Sequence, residues 1–128
     1  MLHVGRLVNL DVALPLDRVQ DFLERAEAGR ARIDSEAKLS IVSHLGDGNV
    51  HWTVCPSDPA HDVPLTEMVE DAVAALGGSF SAEHGIGLAK RGTMARRKDP
   101  VALDVMRAIK AAMDPKGILN PGKVVPDG

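Results

Sequence analysis

Apolar residues recur at every second position from Leu7 to Leu14 and at every third or fourth from Leu16 to Ala28, a change of period that divides a strand from a helix. In the strand Val8, Leu10, Val12 and Leu14 share one face and Leu7, Asn9, Asp11 and Ala13 the other, and Pro15 ends it. The helix presents Leu16, Val19, Leu23 and Ala26 as a stripe, with Asp17, Asp21, Glu24 and Arg25 on its wet side and Gly29 as its expected stop. Alternation returns over Leu39–His44 and Val50–Val54, two strands around Asp47-Gly48, and a loop rich in Pro, Ser and Asp runs from Pro56 to Asp62. Pro64 then opens a second helix with Leu65, Met68, Val69, Ala72, Val73 and Leu76 on one face, closed by Gly77-Gly78. Ser79–Ala82 reads as a fourth strand that delivers Glu83 and His84. The order β-α-β-β-α-β predicts an α+β fold of ferredoxin-like type, an antiparallel sheet with both helices on one face.

Beyond that unit, Asp99 is placed as an N-cap and Pro100 as the first helical residue, and Ala102, Val105, Met106, Ile109, Ala112 and Met113 form a stripe. This predicts an extra C-terminal helix packed on the core. From Asp114 to Lys123, Pro/Gly turns surround Ile118-Leu119, which predicts an irregular tail, ordered if those two aliphatics are buried.

Composition narrows the function. A chain of 128 residues is expected to form one domain. Two Phe, one Trp and no Tyr leave few platforms for base stacking, and the net charge of −3 also speaks against nucleic acid. Residues 88–123 nevertheless hold Lys90, Arg91, Arg96, Arg97, Lys98, Arg107, Lys110, Lys116 and Lys123 against Asp99, Asp104 and Asp114, read as a solvated face rather than an anion site. The single cysteine, Cys55, fits a reducing compartment. No apolar run approaches the ~18 residues of a transmembrane segment and no signal peptide opens the chain, so a cytoplasmic location is the expectation.

The chemistry gathers at Ser43–His51. If Asp47 and Gly48 form a two-residue turn, His44 stands directly opposite His51. Cross-strand Cβ atoms lie roughly 4.5–5.5 Å apart, so both rings could reach one divalent cation. The alternative is a pair of half-buried histidines sharing hydrogen bonds. A third ligand would come from Glu83 or His84, one of which should join the histidines because adjacent side chains of an extended segment point opposite ways. Two His and a carboxylate leave coordination positions open, as a catalytic metal requires, and a neutral His beside them is suited to taking a proton. Alternatively, Glu83 caps the segment beginning Gly85-Ile86-Gly87 and His84 is a surface side chain. Gly46-Asp47-Gly48 and Gly85-Ile86-Gly87 are neither a dinucleotide fingerprint nor a P-loop; each Gly pair reads as a place where the backbone passes something bulky.

Three stretches together carry a resemblance: His44-Leu-Gly-Asp-Gly-Asn-Val-His51, Gly77-Gly-Ser-Phe-Ser-Ala-Glu-His-Gly-Ile-Gly-Leu-Ala-Lys90 and Met113-Asp-Pro-Lys-Gly-Ile-Leu-Asn-Pro-Gly-Lys123. In this order they resemble the C-terminal domain of the FAD-linked oxidases of the vanillyl-alcohol-oxidase superfamily, flavin-dependent 2-hydroxy-acid dehydrogenases acting on D-lactate, glycolate or D-2-hydroxyglutarate. The resemblance runs from about Leu7 to Val124. It implies that His44, His51 and Glu83 are ligands of a divalent metal, zinc foremost with manganese or another transition ion as alternatives. It also implies that His84 takes the hydroxyl proton while hydride leaves for FAD, and that Asn120 and Lys123 lie in a tail running back toward the cofactor.

Thr53 departs from the hydroxyglutarate-type pattern, which carries Asn at that position. By the same resemblance, residues 1–128 correspond to the last part of a substrate (cap) domain, with the FAD-binding domain absent. Such a chain is expected to be inactive without a flavin domain in cis or trans and to form a homodimer, because a sheet cut from a larger one leaves an edge and an apolar face. The competing readings are a stand-alone subunit that completes a separate flavoprotein, and a metal-binding ferredoxin-like module without redox chemistry.

Overall fold

The computed structural model describes residues 6–127, and these form an α+β chain with a ferredoxin-like arrangement. Two units are distinguished, Met1–His84 and Gly85–Gly128.

In the first unit β1 (Val8–Ala13), β2 (Lys38–His44) and β3 (Asn49–Cys55) make an antiparallel sheet in the order β1-β3-β2. Alternation sets its faces. Val8, Leu10 and Val12 pair with Val54, Trp52 and Val50, while Leu39 and Ile41 pair with Val54 and Trp52 from the other side. This face is covered by α1 (Val19–Ile33) and α2 (Asp62–Ala75), whose Phe22, Ala26, Leu65, Val69 and Val73 join Val12, Val50, Trp52 and Val54 in one apolar cluster. Trp52 and Phe22 are fully buried at its centre, where truncation of either to Ala would cost about 3–5 kcal/mol. The opposite face carries Asn9, Asp11, Asn49, His51, Thr53, Ser40 and His44.

Several local expectations change for tertiary reasons. A 3₁₀ turn, Leu16–Arg18, precedes α1, and Leu16 is exposed, so the buried stripe is Val19, Phe22, Ala26 and Gly29. Gly29 does not stop the helix. A Cβ there would lie 2.5 Å from Met68 Sδ on α2, so the missing side chain is what lets the two helices approach. The second helix begins at Asp62, ahead of Pro64, and ends at the two glycines in a Schellman motif: Gly78 N–H donates to Val73 O at 2.9 Å and Gly77 N–H to Ala74 O at 3.1 Å, with Gly77 at φ 72°.

The fourth strand is reduced to one antiparallel bridge, with Ser79 and Ala13 exchanging bonds of 2.8 and 3.0 Å, before Ala82 N–H donates to Asp11 O at 3.1 Å. Between those contacts β1 advances two residues and the segment three. The extra residue is a bulge, which ends regular pairing and re-aims Glu83 and His84.

The second unit contains α3 (Arg91–Arg97) and α4 (Pro100–Met113). The first of these was hidden among the basic residues; its Thr93 and Met94 are buried. At α4 the Asp99 carboxylate accepts from Ala102 N–H at 3.0 Å, the expected cap. The expected stripe is not a buried face: of α4 only Leu103 is buried, and Val105, Ile109 and Met113 are exposed. Ile118 and Leu119 are exposed too, so burial does not order the tail. Asp114 does. Its buried carboxylate accepts from Ile118 N–H at 3.0 Å and Leu119 N–H at 2.9 Å, and the Lys110 ammonium beside it, with those amides, holds its carboxyl below the ordinary range. Among the described residues no helix is long and apolar enough to cross a membrane.

Candidate functional site

The hairpin turn determines how its histidines meet. The residues joining β2 to β3 are Leu45–Gly48, and the register pairs His44 with Asn49 and His51 with Val42, so the two imidazoles are not directly opposite. A two-residue turn would need positive φ at both Asp47 and Gly48, and only Gly48 adopts it, at 75°. His44 O accepts from Asp47 N–H at 3.2 Å, the Asp47 carboxylate from Asn49 N–H at 3.1 Å, and Gly48 O from Leu14 N–H at 2.9 Å. The loop is thereby pinned to the end of β1. A register shift of two residues preserves the face of every side chain. His44 and His51 therefore remain diagonal neighbours on the polar face, with ring centroids 5.4 Å apart and planes at 77°.

Across β3, His51 pairs with Asp11 of β1. Asp11 is only 4% exposed, and its Oδ2 accepts from the backbone N–H of both Glu83 and His84 at 2.9 Å. Because two successive amides turn onto one oxygen, Glu83 and His84 do not splay to opposite faces as an extended segment would require. Both converge on His51. Glu83 Oε1 lies 3.0 Å from His51 Nε2 and 3.8 Å from His84 Nε2, and the rings of His51 and His84 stack with centroids 5.3 Å apart at 19°.

Asp11, His51, Glu83 and His84 each offer a donor atom, and these four atoms lie within 4.8 Å of one another. Two imidazoles and two carboxylates suit zinc or another first-row divalent ion. His44 is outside this group and meets it through the ring of His51. Sequence reasoning missed Asp11. The available signal was an acidic residue at mid-strand on the face that His51 shares, a pattern that reads as ordinary wet surface. At the position of the pattern's Asn, Thr53 donates to Asn9 Oδ1 at 2.9 Å, so the amide on this face belongs to β1. Asn120 and Lys123 are exposed in the second unit, where Lys123 N–H donates to Asn120 O at 3.3 Å and Asn120 has φ 45°.

A family model described as FAD linked oxidases, C-terminal domain, matches residues 3–124. The bovine protein named D-2-hydroxyglutarate dehydrogenase, mitochondrial is 42% identical over 127 residues, which is 95% of this chain and 22% of that protein. An uncharacterized FAD-linked oxidoreductase of Mycobacterium tuberculosis is 39% identical over 118 residues, 92% of this chain and 25% of that one. A probable D-lactate dehydrogenase, mitochondrial of Danio rerio is 34% identical over 122 residues, covering 90% and 24%. The chain thus spans about a quarter of the length of the curated relatives it matches.

Proposed function

Since the chain belongs to the FAD-linked oxidases, as their C-terminal domain, we propose that it is the metal-holding and proton-taking portion of an FAD-dependent 2-hydroxy-acid dehydrogenase of D-lactate, glycolate or D-2-hydroxyglutarate type. The observation that carries this reading is the convergence of His51, Glu83 and His84, from separate parts of the chain, on the open polar face of the sheet. His44, His51 and Glu83 would hold a divalent cation, zinc foremost, which would supply positive charge to orient an oxyanionic substrate. The His84 ring is 65% exposed, so a substrate hydroxyl can reach it and give up its proton at a ring nitrogen. Bound FAD would supply the acceptor for the hydride. Asn120 and Lys123 stand in an exposed tail and would face the flavin portion, carried in cis or in trans. A second copy of the chain is the further partner proposed, through β2, an outer strand of its sheet.

Zinc titration calorimetry on the wild type, His44→Ala, His51→Ala, Glu83→Ala and His84→Ala tests the ligand set. Loss of a ligand is expected to weaken binding at least about tenfold, with His84→Ala sparing it and lowering turnover only when a flavin portion is restored. Equal affinity in all five proteins would overturn the metal assignment. The compact grouping of Asp11, His51, Glu83 and His84 favours a second ligand set without His44. That set is chosen if His84→Ala weakens zinc and His44→Ala does not.

A further inference from the structure

We infer that Asp11 is the positioning residue of this site: one buried carboxylate fixes the course of the backbone that carries Glu83 and His84 and stands at the Nδ1 edge of His51. The inference rests on reading His51 and Glu83 as metal ligands, and it adds a residue to that set's support rather than to the set itself. A carboxylate that is 4% exposed is costly unless it is hydrogen-bonded, and Asp11 meets that demand through Oδ2. Oδ2 receives the N–H groups of Glu83 and His84, residues 72 and 73 positions away, each at 2.9 Å. Oδ1 faces His51 Nδ1 at 3.4 Å.

Asp11 and Glu83 therefore stand on opposite edges of one imidazole, since His51 Nε2 is 3.0 Å from Glu83 Oε1. A neutral ring can carry its proton toward only one of them. Nε2 is the nearer of the two nitrogens to a carboxylate, and a cation held there would leave the ring proton on Nδ1, toward Asp11. His84 repeats the pattern more loosely: its Nδ1 is 3.8 Å from Asp11 Oδ2 and its Nε2 is 3.8 Å from Glu83 Oε1. The same carboxylate thus faces a ligand from one strand while fixing the backbone of the next ligand and of the proton acceptor.

The test uses the 128-residue chain with zinc added. Long-range 1H–15N spectra of the zinc-loaded wild type should show His51 bound through Nε2 and protonated on Nδ1. Zinc calorimetry should show Asp11→Asn binding about 10–100-fold more weakly than wild type. A wild-type His51 protonated on Nε2 overturns the inference, and so does a folded Asp11→Asn with unchanged zinc affinity. If Asp11→Asn does not fold, the wild-type tautomer still decides. Failure of the underlying reading looks different: His51→Ala and Glu83→Ala would then bind zinc as wild type does, whatever the tautomer of His51.

Discussion

Gly46 and Gly48 look equivalent as letters on either side of Asp47, and the fold treats them in opposite ways. Nothing lies within 4 Å of a Cβ built at Gly46, whereas one at Gly48 would stand 2.0 Å from the backbone oxygen of Leu14, at a φ of 75° that disfavours any side chain. Gly48→Ala is therefore expected to cost at least about 2 kcal/mol in denaturant unfolding, and Gly46→Ala to stay within about 0.5 kcal/mol. Similar costs at both positions would mean that the loop is not pinned to β1. The contrast also shows what was legible residue by residue. That His44 and His51 share a face could be read, because parity along a strand is fixed by covalent geometry. Their diagonal offset could not, because it comes from a hydrogen bond between Gly48 and Leu14, residues that only the folded chain brings together. Asp11 was illegible for the same reason: the amides it accepts from lie more than seventy residues away.

At the scale of elements, one buried carboxylate ties the end of α1 to the loop that leads into α2. Asp34 accepts from Ser57 N–H and Ser57 Oγ, both at 2.7 Å, and its Oδ2 lies 3.0 Å from His61 Nδ1. Burial pushes this carboxyl up, but the Ser57 hydroxyl and amide, with His61, outweigh it and hold the group well below the ordinary carboxylate range. A folded value below the unfolded one means that the clip contributes fully above about pH 4, and that its contribution fades as pH falls below that toward the folded value. Asp34→Asn should lower the melting temperature at neutral pH and flatten its fall between about pH 4 and 2. Parallel wild-type and variant curves over that range would exclude the clip. Elements with local signals were legible: α2 by its glycines and α4 by Asp99-Pro100. The extension of α1 past Gly29 was not, since the glycine serves contact with Met68, nor was the bulge that shortens the fourth strand.

For the molecule as a whole, the fold class was readable from element order, but the division into Met1–His84 and Gly85–Gly128 was not, because the basic stretch that begins at Lys90 reads as a solvated face rather than as a boundary. Of the two outer strands, β2 exposes Ile41 and Val42, and Leu45 just beyond it is exposed as well. An uncovered strand edge with apolar neighbours favours pairing. Light scattering should therefore give a dimer mass at high concentration, shifting toward monomer in Val42→Lys; a wild-type monomer at every concentration would refute the pairing. The purified chain should also lack visible flavin absorption, which a stoichiometric flavin spectrum would contradict.

The two amides held by Asp11 have a dynamic meaning as well. Glu83 and His84 lie on an exposed stretch, where backbone protons would ordinarily trade with solvent almost without protection. Bonded across 72 and 73 residues to the middle of β1, they can be released only when the two ends of the first unit part. Their exchange with deuterated water should therefore be as slow as that of the Trp52 and Val54 amides rather than that of their surface neighbours. Any opening that freed them would also separate His51 from Glu83, so the site and the first unit come apart as a single event.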